Sequence, residues 1–180
     1  MCNRLLRTLL LVVGFIAAVN SYAEEVEDMP KTIVVEETIP GSLDRIWNAW
    51  TTTEGITAFF ASEAKIELKI GGPFELYFAP DAPESQRGSE GCEILSYLPN
   101  EMLSFSWNAP PSIPSLRNAG ARTWVVVQFE ELDSNHVKIK ITQQGFGTGE
   151  DWEKYYDYFV RAWPNVAEAC RKYFADNTKD

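Results

Sequence analysis

The chain has 180 residues, of which 13% are aromatic, and its formal net charge is −10 at pH 7. This length is enough for one domain with a hydrophobic core, and the aromatic residues supply side chains to fill it. A strongly negative chain without an offsetting basic run repels phosphate backbones and anionic membrane surfaces, so we expect no nucleic-acid partner.

The first 23 residues have the pattern of an export signal. Arg4 and Arg7 precede the apolar run TLLLVVGFIAAV, which is too short to span a bilayer comfortably. Ser21 and Ala23 then place small residues at the positions that a signal peptidase reads. We expect cleavage after Ala23 and export to the periplasm or the extracellular space, without stable membrane insertion afterwards. An uncleaved anchor is the alternative.

Export bears on the two cysteines that remain after cleavage, Cys92 and Cys170. An oxidising compartment allows a disulfide between them. Two buried free thiols are the alternative that we favour, because cysteine packs well as a small apolar residue. The spacing alone does not decide between these alternatives.

The predicted domain covers residues 32–176, between an acidic flexible segment at 24–31 and a tail at 177–180. Its first element is a strand over Lys31–Ile39, which is rich in β-branched residues and ends at a Pro-Gly pair. Two short helices follow, over Ser42–Thr51 and Glu54–Ala61, and Ser42 is suited to cap the first.

The middle of the chain alternates between apolar and polar residues with the period of β-strands. The predicted strands are AKIELKI, PFELYFA, GCEILSYL, MLSFSWN, RTWVVVQFEEL and HVKIKITQQ. Short turns join most of them, and a proline-containing loop at 109–121 precedes the last pair. Successive strands joined by short turns indicate an antiparallel sheet.

A glycine-rich stretch, with Gly145, Gly147 and Gly149, precedes the last helix in the order typical of a phosphate-binding loop. Its spacing is G-x-G-x-G, no lysine follows, and the chain ends after that helix. Three acidic residues occupy the first helical turn and would repel a phosphate there. The glycines therefore predict a turn from sheet to helix and not a nucleotide site.

The last helix carries a long apolar stripe, with residues recurring at spacings of three and four. The stripe contains Trp152, Tyr156, Phe159, Trp163, Val166, Cys170 and Tyr173. Pro164 lies within it and cannot donate a backbone hydrogen bond, so we expect a kink or a split into two helices.

These elements predict an α+β fold in which a curved antiparallel sheet of six to seven strands wraps around one long C-terminal helix. Such a sheet is roughly 30 Å wide at about 4.8 Å per strand, whereas a helix is only about 10–12 Å thick. We therefore expect an uncovered apolar hollow that binds a small hydrophobic molecule. The candidate ligand-binding residues are Phe78, Phe105, Trp107, Val127, Phe129, Ile141, Gln143 and Trp163. The alternative for each large ring is that it only fills space.

No residue is predicted to be catalytic, and we expect neither a metal nor a cofactor. The single histidine, His136, lies in a tight turn, far from the position of a general base. Glu37 shares a strand face with apolar residues, so it is either a carboxylate inside the hollow or a solvated strand end. Gln143 is placed either to orient a polar group of a ligand or to hydrogen-bond the glycine turn.

The order of elements resembles the START-like superfamily (SRPBCC, helix-grip fold). Four segments resemble its branch of activator of heat-shock chaperone ATPase homologue (AHSA-like) domains. They are IWNAWTTTEGITAFF, KIGGPFELYF, EILSYLPNEMLSFSW and TQQGFGTGEDWEKYYDYFVRAW. The resemblance implies a hydrophobic-ligand cavity between the sheet and the C-terminal helix. The chaperone role it implies acts on a cytosolic ATP-driven partner and transfers poorly to an exported chain.

The sequence thus predicts an exported single-domain protein that binds a small hydrophobic molecule. One alternative is a cyclase- or hydrolase-like enzyme that acts on such a molecule in the same cavity, with Glu37 or a tyrosine as acid or base. A second is a co-chaperone-like interaction module, for which the sequence names no protein partner.

Overall fold

The computed structural model describes residues 30–177. The predicted export signal, most of the acidic segment and residues 178–180 lie outside this range. In chain order the elements are β1 (Ile33–Pro40), α1 (Leu43–Thr51), α2 (Thr53–Thr57), β2 (Glu63–Ile66), β3 (Phe74–Tyr77), β4 (Ile94–Leu98), β5 (Met102–Asn108), α3 (Pro114–Asn118), β6 (Arg122–Asp133), β7 (His136–Gln144) and α4 (Glu150–Asp176).

The strands form a five-stranded antiparallel sheet in the order β1-β7-β6-β5-β4 and a two-stranded antiparallel sheet of β2 and β3. Two backbone bonds connect the turn between β2 and β3 to β4 of the larger sheet: Gly71 N–H donates to the Ile94 carbonyl, and Ile94 N–H donates to the Gly72 carbonyl, both at 2.8 Å. Helix α4 packs along β1, and α1 packs against β6 and β7. The α+β prediction is confirmed, and the arrangement is that of a helix-grip fold.

Strand β2 is shorter than the alternation of AKIELKI predicts. It ends at Ile66, and the chain then turns through the two glycines, where Gly72 N–H donates to the Lys69 carbonyl at 2.8 Å. Gly71 has a φ of +75°, a conformation that glycine adopts without steric cost. The turn leaves Ile70 exposed, because period-two alternation continues in the sequence after the strand has ended.

The short helices also differ from the prediction at their ends. The second one covers only Thr53–Thr57, and the Thr52 side chain caps it by accepting from Gly55 N–H at 3.0 Å. The predicted loop at 109–121 contains the short helix α3, which begins at Pro114 because proline suits the first helical position.

Helix α4 runs without interruption through Pro164, so it is not split in two. Pro164 and Val160 lie on its exposed face, where water can satisfy the Val160 carbonyl that lacks a donor at position 164. The buried face contains Tyr155, Phe159, Trp163, Ala167, Cys170 and Phe174. The other four residues of the predicted stripe are half-buried at its edges, so the stripe was right in part and its centre was displaced.

The glycine run turns the chain from β7 into α4. Gly145 and Gly149 have φ values of +88° and +106°, which disfavour residues with a Cβ atom. Gly149 directly precedes the first helical turn.

Both Cys92 and Cys170 are buried free thiols. Burial raises the pKa of Cys92 to about 11 and that of Cys170 to about 12. Within residues 30–177, no helix combines the length and the apolar character needed to cross a membrane.

Candidate functional site

A cavity of about 180 Å³ lies where the end of β5 meets the middle of α4. Such a volume exceeds the roughly 150 Å³ of a cavity that accepts benzene, and it falls below the roughly 300 Å³ of the smallest typical drug-sized pockets. It is lined by Phe60, Phe78, Gly88, Trp107, Asn108, Pro110, Pro111, Arg117, Tyr158, Phe159, Ala162, Trp163 and Val166. Phe78 and Tyr158 are 45% and 42% exposed, so the cavity opens to solvent on their side.

Aromatic rings form the inner wall. The Trp107 and Trp163 rings are 5.6 Å apart, and the Phe60 ring lies 6.2 Å and 6.0 Å from them. Phe159 lies 5.9 Å from Trp163. These centroid separations lie in the favourable range for aromatic pairs, and the tryptophans present flat apolar surface to the cavity.

A buried chain of hydrogen bonds behind the wall links the Trp163 ring to the backbone carbonyl of Trp107. Trp163 Nε1 donates to Gln143 Oε1 at 2.7 Å, and Gln143 Nε2 donates to Thr123 Oγ1 at 2.8 Å. The Thr123 hydroxyl lies 3.0 Å from the Tyr155 hydroxyl, which donates to the Trp107 carbonyl at 2.8 Å. Each member satisfies the next, so the network fixes the wall without leaving an unpaired polar group in it.

Burial raises the pKa of the Tyr155 hydroxyl well above its usual range, and the hydrogen bond with Thr123 opposes this only in part. Tyr155 therefore stays protonated at neutral pH and acts as a donor. This keeps the network electrically neutral beneath an apolar wall.

An ion pair closes one side of the cavity. Arg117 Nη2 donates to Glu90 Oε2 at 2.6 Å and to the Gly88 carbonyl at 2.7 Å, and Arg117 Nη1 donates to the Ala109 carbonyl at 2.6 Å. Arg117 Nε also donates to the Ser85 carbonyl. One buried guanidinium thus ties helix α3 to the loop between β3 and β4.

The pair is a structural one. Burial acts to raise the pKa of Glu90, but backbone N–H bonds from Arg87 and Gly88 and the charge of Arg117 outweigh it, so that pKa is lowered. Burial lowers the pKa of Arg117, which its charge partner opposes. With its charge compensated by Glu90, Arg117 contributes little net charge to the cavity.

Three of the predicted ligand-binding residues line this cavity: Phe78, Trp107 and Trp163. They come from the end of β3, from β5 and from α4, and the fold brings them together at one end of the sheet.

The other predicted residues lie in the core and do not line the cavity. Phe105 stacks on Phe74 at 4.0 Å, and Phe129 packs edge-on against Trp47 at 5.4 Å. Val127 and Ile141 are paired across β6 and β7 and are buried in the same core. Neighbouring side chains and α1 fill the part of the sheet surface where an uncovered hollow was expected. The Gln143 side chain hydrogen-bonds Trp163 and Thr123 rather than the glycine turn.

Of the acid or base candidates named by the sequence, Glu37 lies outside the cavity, whereas one tyrosine, Tyr158, lines it. Glu37 is half-buried beside Arg171 at 3.9 Å, on β1. His136 is exposed at the start of β7 and contacts Asp133 at 3.0 Å. Among residues 30–177, Tyr158 and Arg117 are the ionisable residues that line the cavity, and Arg117 is engaged by Glu90.

Four residues that matter here were not predicted from the sequence. Phe60 completes the wall, Tyr155 and Thr123 complete the network, and Arg117 closes the side. Tyr155 had a signal, since it is spaced by four from Phe159, but the adjacent Tyr156 fits a helical stripe equally well. Arg117 is a single cation in a loop, and no local pattern marks it.

The sequence model of the family described as "Activator of Hsp90 ATPase homolog 1-like protein" matches residues 40–175. A comparison with curated proteins gives no match.

Solved structures share the fold. A protein from Mesorhizobium loti superposes with a TM-score of 0.62 at 22% identity, over 83% of this chain and 99% of that chain. An Aha1 dimer from Colwellia psychrerythraea superposes with a TM-score of 0.60 at 14% identity, over 80% of this chain and 96% of that chain. An HSP90 activator from Plasmodium falciparum superposes with a TM-score of 0.55 at 21% identity, over 73% of this chain and 86% of that chain. At these identities the likeness shows a common fold.

Proposed function

This chain belongs to the Activator of Hsp90 ATPase homolog 1-like protein family, and we propose that it binds a small apolar molecule through a ring-sized group. Family and fold together support an SRPBCC ligand-binding or co-chaperone-like domain. The observation that carries the proposal is the cavity of about 180 Å³ with an aromatic wall, in which a buried hydrogen bond holds the Trp163 ring and neighbouring rings pack against Trp107.

The physical basis is preorganisation. The Gln143 side chain holds the Trp163 ring, and Phe105 and Trp163 pack against the Trp107 ring, so binding should cost little ordering of the wall. A flat ring placed against them gains buried apolar area and aromatic contact. The volume accepts one ring or a short branched chain, and a whole lipid exceeds it.

Binding is better supported than catalysis. Within the part of the chain that the structure describes, no carboxylate or histidine lines the cavity, and Arg117 is engaged by Glu90, so the exposed Tyr158 hydroxyl is the one titratable group left for an acid–base reaction. The lining favours a molecule that is held and released unchanged.

The test is isothermal titration calorimetry with benzyl alcohol as the probe, using two substitutions on α4. Ala162 lines the cavity and Ala169, two turns further on, does not, although both are half-buried. Ala162→Phe fills the cavity with a ring of its own and should abolish binding, whereas Ala169→Phe should leave binding within about twofold of the unmodified protein. Binding that survives Ala162→Phe, or no binding by the unmodified protein, would contradict the proposal.

We also propose that residues 1–23 direct export and are removed. The charged start, the apolar run and the small residues before position 24 support this. Intact mass measurement of the protein recovered outside the cytoplasm should give a chain that begins at Glu24. A chain that keeps residues 1–23 in the cytoplasm would contradict it.

A further inference from the structure

Two phenylalanine rings separate the cavity from a second hollow. Phe60 and Phe78 line the cavity of about 180 Å³, and they also line an open cleft of about 370 Å³ formed with residues 57–62. Their centroids are 5.5 Å apart. The two rings therefore act as a partition between an apolar chamber and a shallow surface cleft.

The two rings are held very unequally. Phe60 has ring contacts with Trp50, Trp107 and Trp163, all within 6.2 Å. Phe78 is 45% exposed, and Phe60 is its single ring contact among the described residues. The backbone N–H of Phe78 donates to the Arg87 carbonyl at 2.8 Å, a bond that rotation of the side chain leaves intact. Phe78 can thus swing out at the cost of one aromatic contact and of the apolar area that its half-covered ring buries.

We propose that Phe78 is a movable partition, and that the ligand is an elongated amphipathic molecule which spans both hollows when Phe78 swings out. This inference rests on the proposed function, since the apolar end of the ligand occupies the cavity described above. With Phe78 displaced, the two hollows together reach the volume of pockets for whole small molecules, about 300–1,000 Å³.

The cleft determines which polar end fits. The carbonyls of Thr57, Ala58 and Phe59, at the end of α2, accept no hydrogen bond within residues 30–177. The backbone N–H groups of Ala61 and Ser62 in the same segment donate no hydrogen bond within that range either, so an end group that both donates and accepts, such as a hydroxyl, suits the cleft. Glu54 and Glu63 flank this segment, are exposed and form no ion pair with another described residue. These carboxylates repel an anion, so an alcohol fits better than a fatty acid.

The probes are phenylethanol, phenylhexanol and phenylhexanoate, titrated by calorimetry into the full chain. Each methylene buried is worth about fourfold in affinity, so phenylhexanol should bind the unmodified protein at least about tenfold more tightly than phenylethanol. Its affinity for the unmodified protein should also be at least about threefold higher than that of phenylhexanoate.

The variant Phe78→Ala removes the partition and its displacement cost. It should tighten phenylhexanol binding by about three- to tenfold and leave phenylethanol within about twofold, whereas Phe78→Trp should weaken phenylhexanol. Leu132→Ala is the matched control, since Leu132 is 49% exposed and lines neither hollow, and it should change neither affinity.

The outcomes separate the two proposals. If phenylethanol binds but phenylhexanol binds no more tightly, or if Phe78→Ala and Leu132→Ala have the same effect, the partition is refuted and the cavity proposal stands. If phenylhexanoate binds more tightly than phenylhexanol, the assigned polar end is wrong. If none of the probes binds the unmodified protein or Phe78→Ala, both proposals fail.

Discussion

The two ends of the hydrophobic interior are built from the same residue types but are packed differently. At one end, α1 places Trp47 and Trp50 against the sheet, where Trp47 meets Phe129 at 5.4 Å and the space is filled. At the other end, Trp107 and Trp163 face a cavity. The difference lies in what covers each end. A nine-residue helix covers the first, and loops joined by an ion pair cover the second.

The two ends also differ in whether the indole N–H of a buried tryptophan is hydrogen-bonded. The Trp50 indole N–H has the Cys170 thiol beside it but makes no hydrogen bond of ordinary geometry. The Trp163 indole N–H donates to Gln143 at 2.7 Å. Dense packing holds Trp50, whereas directional bonds hold Trp163, which has open space on one side. Substitutions that treat both ends alike should therefore have unequal results.

The largest effect on stability is expected at the filled end. Trp50→Ala removes a fully buried ring and should lower the free energy of unfolding by about 3–5 kcal/mol. Phe60→Ala, at the cavity wall, removes a half-buried ring and should cost about 1–2 kcal/mol. Urea denaturation of both variants measures the difference, and equal losses would contradict the distinction between the ends.

The next effect tests the bonds at the open end. Gln143→Leu leaves Trp163 Nε1 without an acceptor in a buried site and removes one of the hydrogen bonds of Thr123 Oγ1, which keeps Tyr155 as a partner, at a cost of about 1–3 kcal/mol. Gln128→Leu, on the exposed face of β6, is the control and should change stability by less than about 0.5 kcal/mol. Denaturation curves with matched slopes test this, and a Gln143→Leu protein as stable as the control would show that the network holds nothing.

A smaller effect depends on pH. The pKa of Glu90 is lower in the folded chain than its ordinary value of 4.5, so its carboxylate stabilises the fold above about pH 4.5, and this contribution is lost as the pH falls through the folded pKa. Glu90→Gln should cost about 1–2 kcal/mol at neutral pH and should flatten the decline of stability below pH 4.5. Thermal unfolding at a series of pH values tests this, and parallel declines in both proteins would contradict it.

The smallest expected effect concerns thiol reactivity, because neither cysteine should react in the folded protein. Burial raises the pKa of Cys92 to about 11 and that of Cys170 to about 12, so few thiolates form at neutral pH. Iodoacetamide should leave both thiols unmodified in the native protein and should label both after unfolding in urea, as mass spectrometry would record. Rapid native labelling of either one would show that its end of the interior opens.

The sequence predicted the parts of this comparison that depend on local periodicity. Alternation in MLSFSWN gave the inward side of Trp107, and the helical spacing of Phe159 and Trp163 gave the facing wall. The phase of the stripe was ambiguous because Tyr155 and Tyr156 are adjacent and chemically alike. Only Tyr155 is buried.

The location of the empty space was beyond local reasoning. Alternation places Phe105 and Trp107 on the same face of β5, so the sequence pattern does not distinguish them. Phe74 covers Phe105, whereas the cavity borders Trp107. What lies opposite a residue depends on distant segments, such as the loop that Arg117 ties down. The width of the sheet relative to one helix predicted that a hollow exists. Helix α1 and the loops that cover the sheet decide that it lies at one end.

The most direct test of a cavity at one end only is the set of indole N–H signals of the six tryptophans in a ¹H–¹⁵N NMR spectrum. During titration with benzyl alcohol, the signals of Trp107 and Trp163 should shift in a saturable manner, while that of Trp47 stays in place. A saturable shift at Trp47, or no saturable shift at any tryptophan, would contradict a ring-sized binding cavity between β5 and α4.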